Sequence, residues 1–211
     1  MSTILVIGAT GQIGKQATKK LLDAGHKVVA LTKSPEKLND LENSHLSIAE
    51  QNLEDDFSSA FDGIDTVVFA AGSGGNTGAD KTLLIDLWGA RNAVNYAKQA
   101  NVSQFIMVSS IGAGNPDDVG GDIKPYLVAK HMADEHLINS GLPYVILRPG
   151  SLLNEPGTHL VTTDMPDNKD EAVIPREDVA TAIVESLNRA KDENLVIHLF
   201  KGDTPISKIF E

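Results

Sequence analysis

The sequence predicts an α/β chain in which a doubly wound, mostly parallel sheet carries helices on both faces, and two observations predict it. Residues 2–7 form an apolar, β-branched strand that runs into Gly8-Ala9-Thr10-Gly11-Gln12-Ile13-Gly14 and then into a helix-forming run over 15–24. Beyond that step, short apolar runs closed by turn residues alternate with helical segments to the end of the chain. With 211 residues, 41% of them apolar, one domain over 1–211 is expected, with 151–175 as a small substrate-side cap.

The opening step carries chemistry of its own. Gly8 lets the chain turn sharply as it leaves the strand, Gly11 lets backbone approach a pyrophosphate, and Gly14 lets the helix pack closely on the sheet. Amides near Gln12 and Ile13 then point from a helix N-terminus at the phosphates, an anion site that needs no charged side chain. The segment reads as a dinucleotide cradle; the plain alternative is a tight βα turn.

A formal charge of −11 argues against nucleic acid and against anionic membrane surfaces. With no cysteine, disulfides, thiolate metal sites and cysteine catalysis are excluded. The six histidines show no metal-ligand spacing, so no metal is expected. No leader pattern or long apolar run is present. The expected protein is soluble and cytoplasmic, a monomer or homodimer acting on a small molecule.

Residues 27–32 read as the second strand, and the position just beyond it selects the coenzyme. A carboxylate there suits the ribose hydroxyls of NAD; this chain has Thr32, Lys33 and Ser34, which suit a 2′-phosphate. NADP is therefore expected, with NAD possible, since Lys33 could be a solvated loop lysine and Glu36 could reach a ribose. A short helix or helical turns over 35–43 and a weak third strand over 45–49 follow. Asn52, just past that strand, either meets the adenine amine or is a turn residue. A second short helix is expected over 55–61.

Residues 65–72 form a continuous apolar strand, as a central parallel strand should, ending in the small residues Ala70, Ala71 and Gly72 that leave space for a ligand. A small-residue loop over 73–78 leads into a long helix over 80–98. Asp86 interrupts its apolar run, either facing the coenzyme or holding a backbone group, and Trp88 reads as a packing or subunit-contact residue.

The fifth strand, 104–108, delivers Ser109 and Ser110 to the carboxyl edge of the sheet. Tyr126 and Lys130, four apart in the next helix, share one face. A lysine cation favours the phenolate of a neighbouring tyrosine, so the pair can move a proton to or from a substrate oxygen. Adjacent strand residues face opposite ways; Ser110 is expected at the substrate and Ser109 nearer the core or coenzyme. In the competing arrangement Lys130 serves the nicotinamide ribose while Tyr126 only packs, which would make a coenzyme-binding module without turnover.

Taken together, Gly8 to Gly14, Phe69-Ala70-Ala71-Gly72, Val108-Ser109-Ser110, Tyr126 with Lys130, and Leu147-Arg148-Pro149-Gly150 give the chain a resemblance. It is similar to the extended or atypical short-chain dehydrogenase/reductase superfamily, and within it to the small NAD(P)H-binding proteins grouped with NmrA-like proteins and flavin or biliverdin reductases. The likeness covers nearly the whole chain and implies a Rossmann-type sheet of about seven strands. It also implies a pyrophosphate loop of Gly8, Thr10, Gly11, Gln12 and Ile13, and a 2′-phosphate segment at Lys33 and Ser34, where arginine is more usual. Asn52 stands where an aspartate is usual near adenine. The resemblance further places Ala70, Ala71 and Gly72 along adenosine and ribose, Lys130 at the nicotinamide ribose, and Pro149 and Gly150 at the nicotinamide face. Asp178 is implied to dock its helix.

The remaining elements are a sixth strand over 144–147, with Arg148 anchoring the following loop through backbone carbonyls, a stretch over 152–170 without usable period, and a candidate pocket residue in it, His159. An extended run over 171–174, a helix from Pro175 and a last strand over 194–199 complete the chain. The functional expectation is an NADP-dependent oxidoreductase passing a hydride to a small carbonyl, quinone or flavin-like acceptor, with Ser110, Tyr126 and Lys130 as catalytic residues. The alternatives are a non-catalytic NADP(H) sensor and an epimerase or dehydratase of sugar nucleotides, the last disfavoured by a short C-terminal part.

Overall fold

The computed structural model describes residues 1–75, 77–188 and 194–211; Asn76 of the small-residue loop lies outside the described residues. In chain order the strands are β1 (Thr3–Ile7), β2 (Lys27–Thr32), β3 (Leu46–Glu50), β4 (Thr66–Phe69), β5 (Gln104–Val108), β6 (Tyr144–Pro149), β7 (Ser151–Leu153), β8 (Leu160–Thr162), β9 (Val173–Pro175), β10 (Leu195–Lys201) and β11 (Thr204–Pro205). The helices are α1 (Gln12–Asp23), α2 (Ala79–Lys81), α3 (Ala90–Gln99), α4 (Lys124–Ile138) and α5 (Arg176–Glu185).

The main sheet runs β3-β2-β1-β4-β5-β6-β10-β8-β11. From β3 to β10 every neighbouring pair is parallel. These seven strands match the expected Rossmann-type sheet, and β8 and β11 extend it in antiparallel fashion. The chain leaves β3 at one edge and re-enters at β4 on the other side of β1. Strand order therefore reverses between β1 and β4, which opens a crevice beyond their carboxyl ends.

β1 shows why the sheet is covered on both sides. Ile4 and Val6 enter one core together with Ile13, Ala17 and Leu21 of α1 and Val179 and Ile183 of α5. Leu5 and Ile7, pointing the other way, enter a second core with Ala93, Val94 and Ala97 of α3 and Ala133 and Leu137 of α4. Phe57, Phe61 and Tyr96 brace the second core where the chain approaches β4. The Phe57 and Tyr96 rings meet edge to face, with centroids 5.0 Å apart at 86°.

Local structure departs from expectation in three places. The short helix expected over 55–61 is a single 3₁₀ turn, Ser58–Phe61, while the helical turns allowed over 35–43 are present as one, Pro35–Leu38. The long helix expected over 80–98 is continuous, but Thr82–Gly89 within it is π-helical, the wider winding that turns up at functional sites. The stretch over 152–170 contains β8 and part of β7; strands of three residues are too short to print a period in sequence.

The start of α5 is tied to that stretch. Asp178, fully buried, accepts from the His159 amide through Oδ1 (2.8 Å) and from the Thr158 amide through Oδ2 (3.0 Å). Glu177 accepts from the Gly157 amide at 2.9 Å and from Lys20 of α1 at 3.2 Å. Asp178 thus docks the helix, as the resemblance implies. His159 is exposed and takes a left-handed conformation, φ 59°.

Removing the Phe57 ring empties a space its neighbours cannot close. Phe57→Ala is expected to cost about 3–5 kcal/mol, read as a lower urea midpoint with an unchanged m-value.

Candidate functional site

The site begins where two backbones touch. Gly8 has φ +87°, and a Cβ on it would lie 2.6 Å from the Ala71 amide nitrogen, so the turn after β1 presses on the chain leaving β4. A Cβ on Gly14 would strike the Gly8 carbonyl, so α1 is seated directly on the same turn. The Gly11 amide donates to the Gly8 carbonyl at 3.0 Å, which closes the turn. α1 then starts at Gln12 with no side-chain cap and no acidic residue in its first turn. Its leading amides are left for an anion, and this is the fit a coenzyme diphosphate requires.

On one side of this cradle lies a cavity of about 420 Å³ walled by Gly8, Thr10, Gly11, Lys33, Asn52, Ala70, Ala71 and Gly72, with Thr32 and Lys37 beside them. It lies past β2 and β3, where the adenosine half of a coenzyme is expected. Thr32 organises its floor: its Oγ1 lies 3.1 Å from Thr10 Oγ1 and accepts from the Ser34 amide at 3.0 Å. Ser34 itself is outside the wall. Asn52 Oδ1 accepts from the Glu54 amide at 3.3 Å, so it is a turn residue that also faces the cavity. Glu54 is paired with Lys81 at 2.7 Å.

On the other side a cavity of about 700 Å³ shares Ala70, Ala71, Gly72 and Ser73 with the first and adds Gln12, Ile13, Ser109, Tyr126, Lys130 and Pro149. Tyr126 is half-buried on the first turn of α4. Lys130, one turn on and 2% exposed, donates to the Val108 carbonyl at 2.8 Å. Its other two N–H groups have no partner among the described residues.

The two serines divide differently from expectation. Ser109 stands in the wall, while Ser110 lies outside it with its hydroxyl donating to the Ile111 carbonyl at 3.1 Å. Ser109 in turn donates to Asp134 Oδ2 at 2.8 Å. That oxygen also accepts from Arg148 Nε and Nη2, both at 3.0 Å. Burial pushes the Asp134 carboxyl up, while Ser109, Arg148 and Lys130 pull it back. Arg148 therefore anchors α4 through a carboxylate, not a loop through carbonyls, because β6 aims it at that helix. Gly150 also departs from expectation: a Cβ there would strike the Ala172 carbonyl and lie 2.9 Å from the Phe200 ring, so its close approach is to neighbouring chain, and it is absent from the wall.

Asp86 settles its two readings in favour of both. It is 1% exposed, its Oδ2 accepts from the Ser73 amide at 3.0 Å, and it stands in the wall with Thr82. Its Oδ1 has no hydrogen-bond partner among the described residues. Thr82 and Asp86, four apart in the π-helical segment, share the cavity side. Lys37 and Arg176 are further wall residues that the sequence does not mark. Lys37 carries a signal in hindsight, four residues after Lys33. Trp88, half-exposed and away from the wall, stacks under the Arg91 guanidinium at 4.6 Å.

Residues 8–190 match the family described as NAD(P)H-binding. The chain belongs to this NAD(P)H-binding family. The family protein is 41% identical over 209 residues, 97% of each chain, to the "uncharacterized sugar epimerase YhfK" of Bacillus subtilis (strain 168). Its structure superposes on a "putative NAD-dependent epimerase/dehydratase" of Bacillus halodurans with a TM-score of 0.92 at 41% identity, covering 100% of this chain and 99% of that one. An "oxidoreductase ylbE" of Lactococcus lactis follows it with a TM-score of 0.85 at 27% identity, covering 99% and 94%. The NAD(P)H-binding protein is thus a Rossmann-fold member of the oxidoreductase and epimerase-dehydratase superfamily. No helix among the described residues is long and apolar enough to cross a membrane.

Because Gly8 combines a left-handed backbone with contact to Ala71, Gly8→Ala is expected to weaken NADH and NADPH binding together and to cost at least about 1 kcal/mol of stability. Calorimetric titration and denaturant unfolding read the two effects.

Proposed function

We propose that this protein carries out hydride exchange at a hydroxyl-bearing carbon of a small, sugar-like substrate, in the redox-neutral manner of an epimerase or dehydratase, with NADP preferred. The observation that carries the proposal is the chemistry of the larger cavity's wall. Asp86 offers a free carboxylate oxygen, and Ser109, its proton spent on Asp134, offers lone pairs. Both accept hydrogen bonds, as hydroxyl groups require. Thr82 and Asp122 add further oxygen atoms, and Tyr126 is the one aromatic side chain in that wall. A flat quinone or flavin would call for apolar and aromatic surfaces instead.

The bound nicotinamide would supply the hydride chemistry. The chain's own part is to hold the hydroxyl-bearing carbon and to handle its proton. Tyr126 takes the proton of the reacting hydroxyl and gives it back, Lys130 stabilises the phenolate with its unclaimed N–H groups, and Asp86 fixes a neighbouring hydroxyl. The reaction class in this reading is supported by the Bacillus relatives, an "uncharacterized sugar epimerase" and a "putative NAD-dependent epimerase/dehydratase". The short C-terminal part, which disfavoured it on sequence grounds, loses force because the sugar-epimerase relative is matched over 97% of its own length. A cavity of about 700 Å³ that also takes the nicotinamide end suits a compound of monosaccharide size. Net reduction of a small carbonyl is the second reading, favoured by the description of the Lactococcus structure as an oxidoreductase.

Preference for NADP follows from Lys33 and Lys37. Both face the adenosine cavity, and neither ammonium has a carboxylate partner among the described residues.

Incubation with a panel of free sugars and sugar acids should yield stereoisomer or dehydrated product without accumulation of NADPH; stoichiometric NADPH turnover would favour the second reading. Tyr126→Phe is expected to slow product formation at least about tenfold with coenzyme affinity retained, and an unchanged rate would remove Tyr126 from proton transfer. The double variant Lys33→Ala/Lys37→Ala should weaken NADPH by about tenfold or more and leave NADH near its original affinity. Equal losses would overturn the 2′-phosphate assignment.

A further inference from the structure

We infer that Arg176 is a coenzyme-binding residue, a cation that closes on the diphosphate from the 151–175 side of the groove. The inference rests on membership of the NAD(P)H-binding family and is independent of the hydride chemistry proposed above.

Two phosphates carry two negative charges into a chain whose formal charge is −11. The glycine-rich turn meets them with amides alone. Lys15 is bound to Asp40 at 2.6 Å and to the Lys37 carbonyl at 2.7 Å, and Lys20 is bound to Glu177 at 3.2 Å. Lys130 shares a wall with Tyr126, and Lys33 and Lys37 face the adenosine cavity. Arg176 is a cation without a carboxylate partner among the described residues that shares both its walls with Gln12.

It is the first residue of α5, and it stands in the wall of the larger cavity and of a neighbouring one of about 470 Å³. Gln12, the first residue of α1, is in both walls with it. Arg176 and the start of the helix whose amides await the anion thus share two cavity walls. Its Nη1 donates to the Leu152 carbonyl at 3.0 Å and to Asn154 Oδ1 at 2.8 Å, two neutral acceptors that orient the group and leave its charge intact. Nε and Nη2 have no partner among the described residues.

The carboxylate next to it does not compete. Glu177 spends one oxygen on Lys20 and the other on the Gly157 amide. A guanidinium held by one nitrogen with two others free is suited to a fork of hydrogen bonds to phosphate oxygens, for which arginine is better shaped than lysine. Two neutral holds also mean that little side-chain entropy is left to lose on binding.

The test is equilibrium binding of NADH, NADPH and adenosine 2′-monophosphate to the full chain without substrate. Arg176→Met, which keeps the aliphatic stem, should weaken NADH and NADPH by the same factor, about tenfold or more. Adenosine 2′-monophosphate has no 5′-diphosphate, so its affinity should not change, and it reports that the adenosine half is still folded. Arg176→Lys should recover part of the loss, since charge returns without the fork. Unchanged dinucleotide binding, a loss confined to NADPH, or an equal loss for the monophosphate would each overturn the assignment.

Discussion

The structure depends on backbone meeting backbone between the ends of β1 and β4. At Gly8 the chain turns with a positive φ and lies against the Ala71 amide, and at Gly14 the helix comes down on the Gly8 carbonyl. No side chain larger than hydrogen fits at either point. The glycines do more than permit a turn: they bring the first helix, the first strand and the fourth strand to one place, and the two halves of the groove open to either side of it. Exclusion of side chains is what turns a crevice between strands into a cradle for phosphates.

From that point the sheet sorts chemistry by strand end. The end of β2 brings hydroxyl and ammonium groups and the end of β3 carboxamides to one cavity, while β5 and α4 deliver serine, tyrosine and lysine to the other. Behind the latter lies a buried charge pair. Asp134 and Arg148 pair within the protein and take the Ser109 proton with them, while the other Asp134 oxygen is buried without a partner among the described residues. Desolvation offsets much of the attraction in such a pair, so what it supplies is fixed orientation of its partners more than net stability. The polarity of Ser109 toward the cavity is thus decided by a residue that never reaches it.

Much of this could be read from residues alone, and the boundary follows physical range. Gly8 to Gly14 and the small residues Ala70, Ala71 and Gly72 announce themselves because spacing along one strand and its turn carries their meaning, whereas the spacing of Tyr126 and Lys130 marks only a shared helix face. Fully apolar strands such as β4 and β5 were legible for the same reason. Ser109 and Ser110 were not separable, since which of two adjacent hydroxyls faces a cavity depends on Asp134, twenty-five residues away in sequence. Gly150 misled because a glycine close to backbone looks the same whether the approaching group is a ring or the next strand. Asp86 was readable as anomalous, yet which of its oxygens stays free depends on the Ser73 amide, thirteen residues away, and no residue pattern signals that. Lys37 and Arg176 are charged residues at turns and helix starts, where most such residues are merely solvated.

The paired acids at the start of α5 have a mechanical consequence. Because Glu177 and Asp178 between them grip three consecutive amides, those of Gly157, Thr158 and His159, and Glu177 also holds Lys20, the loop beside the groove is bolted to both helices on that face. It cannot swing as an independent flap. Any widening of the entrance has to carry α5 along, so the rate at which a nucleotide escapes would be governed by the stiffness of a helix pair rather than by the looseness of a loop.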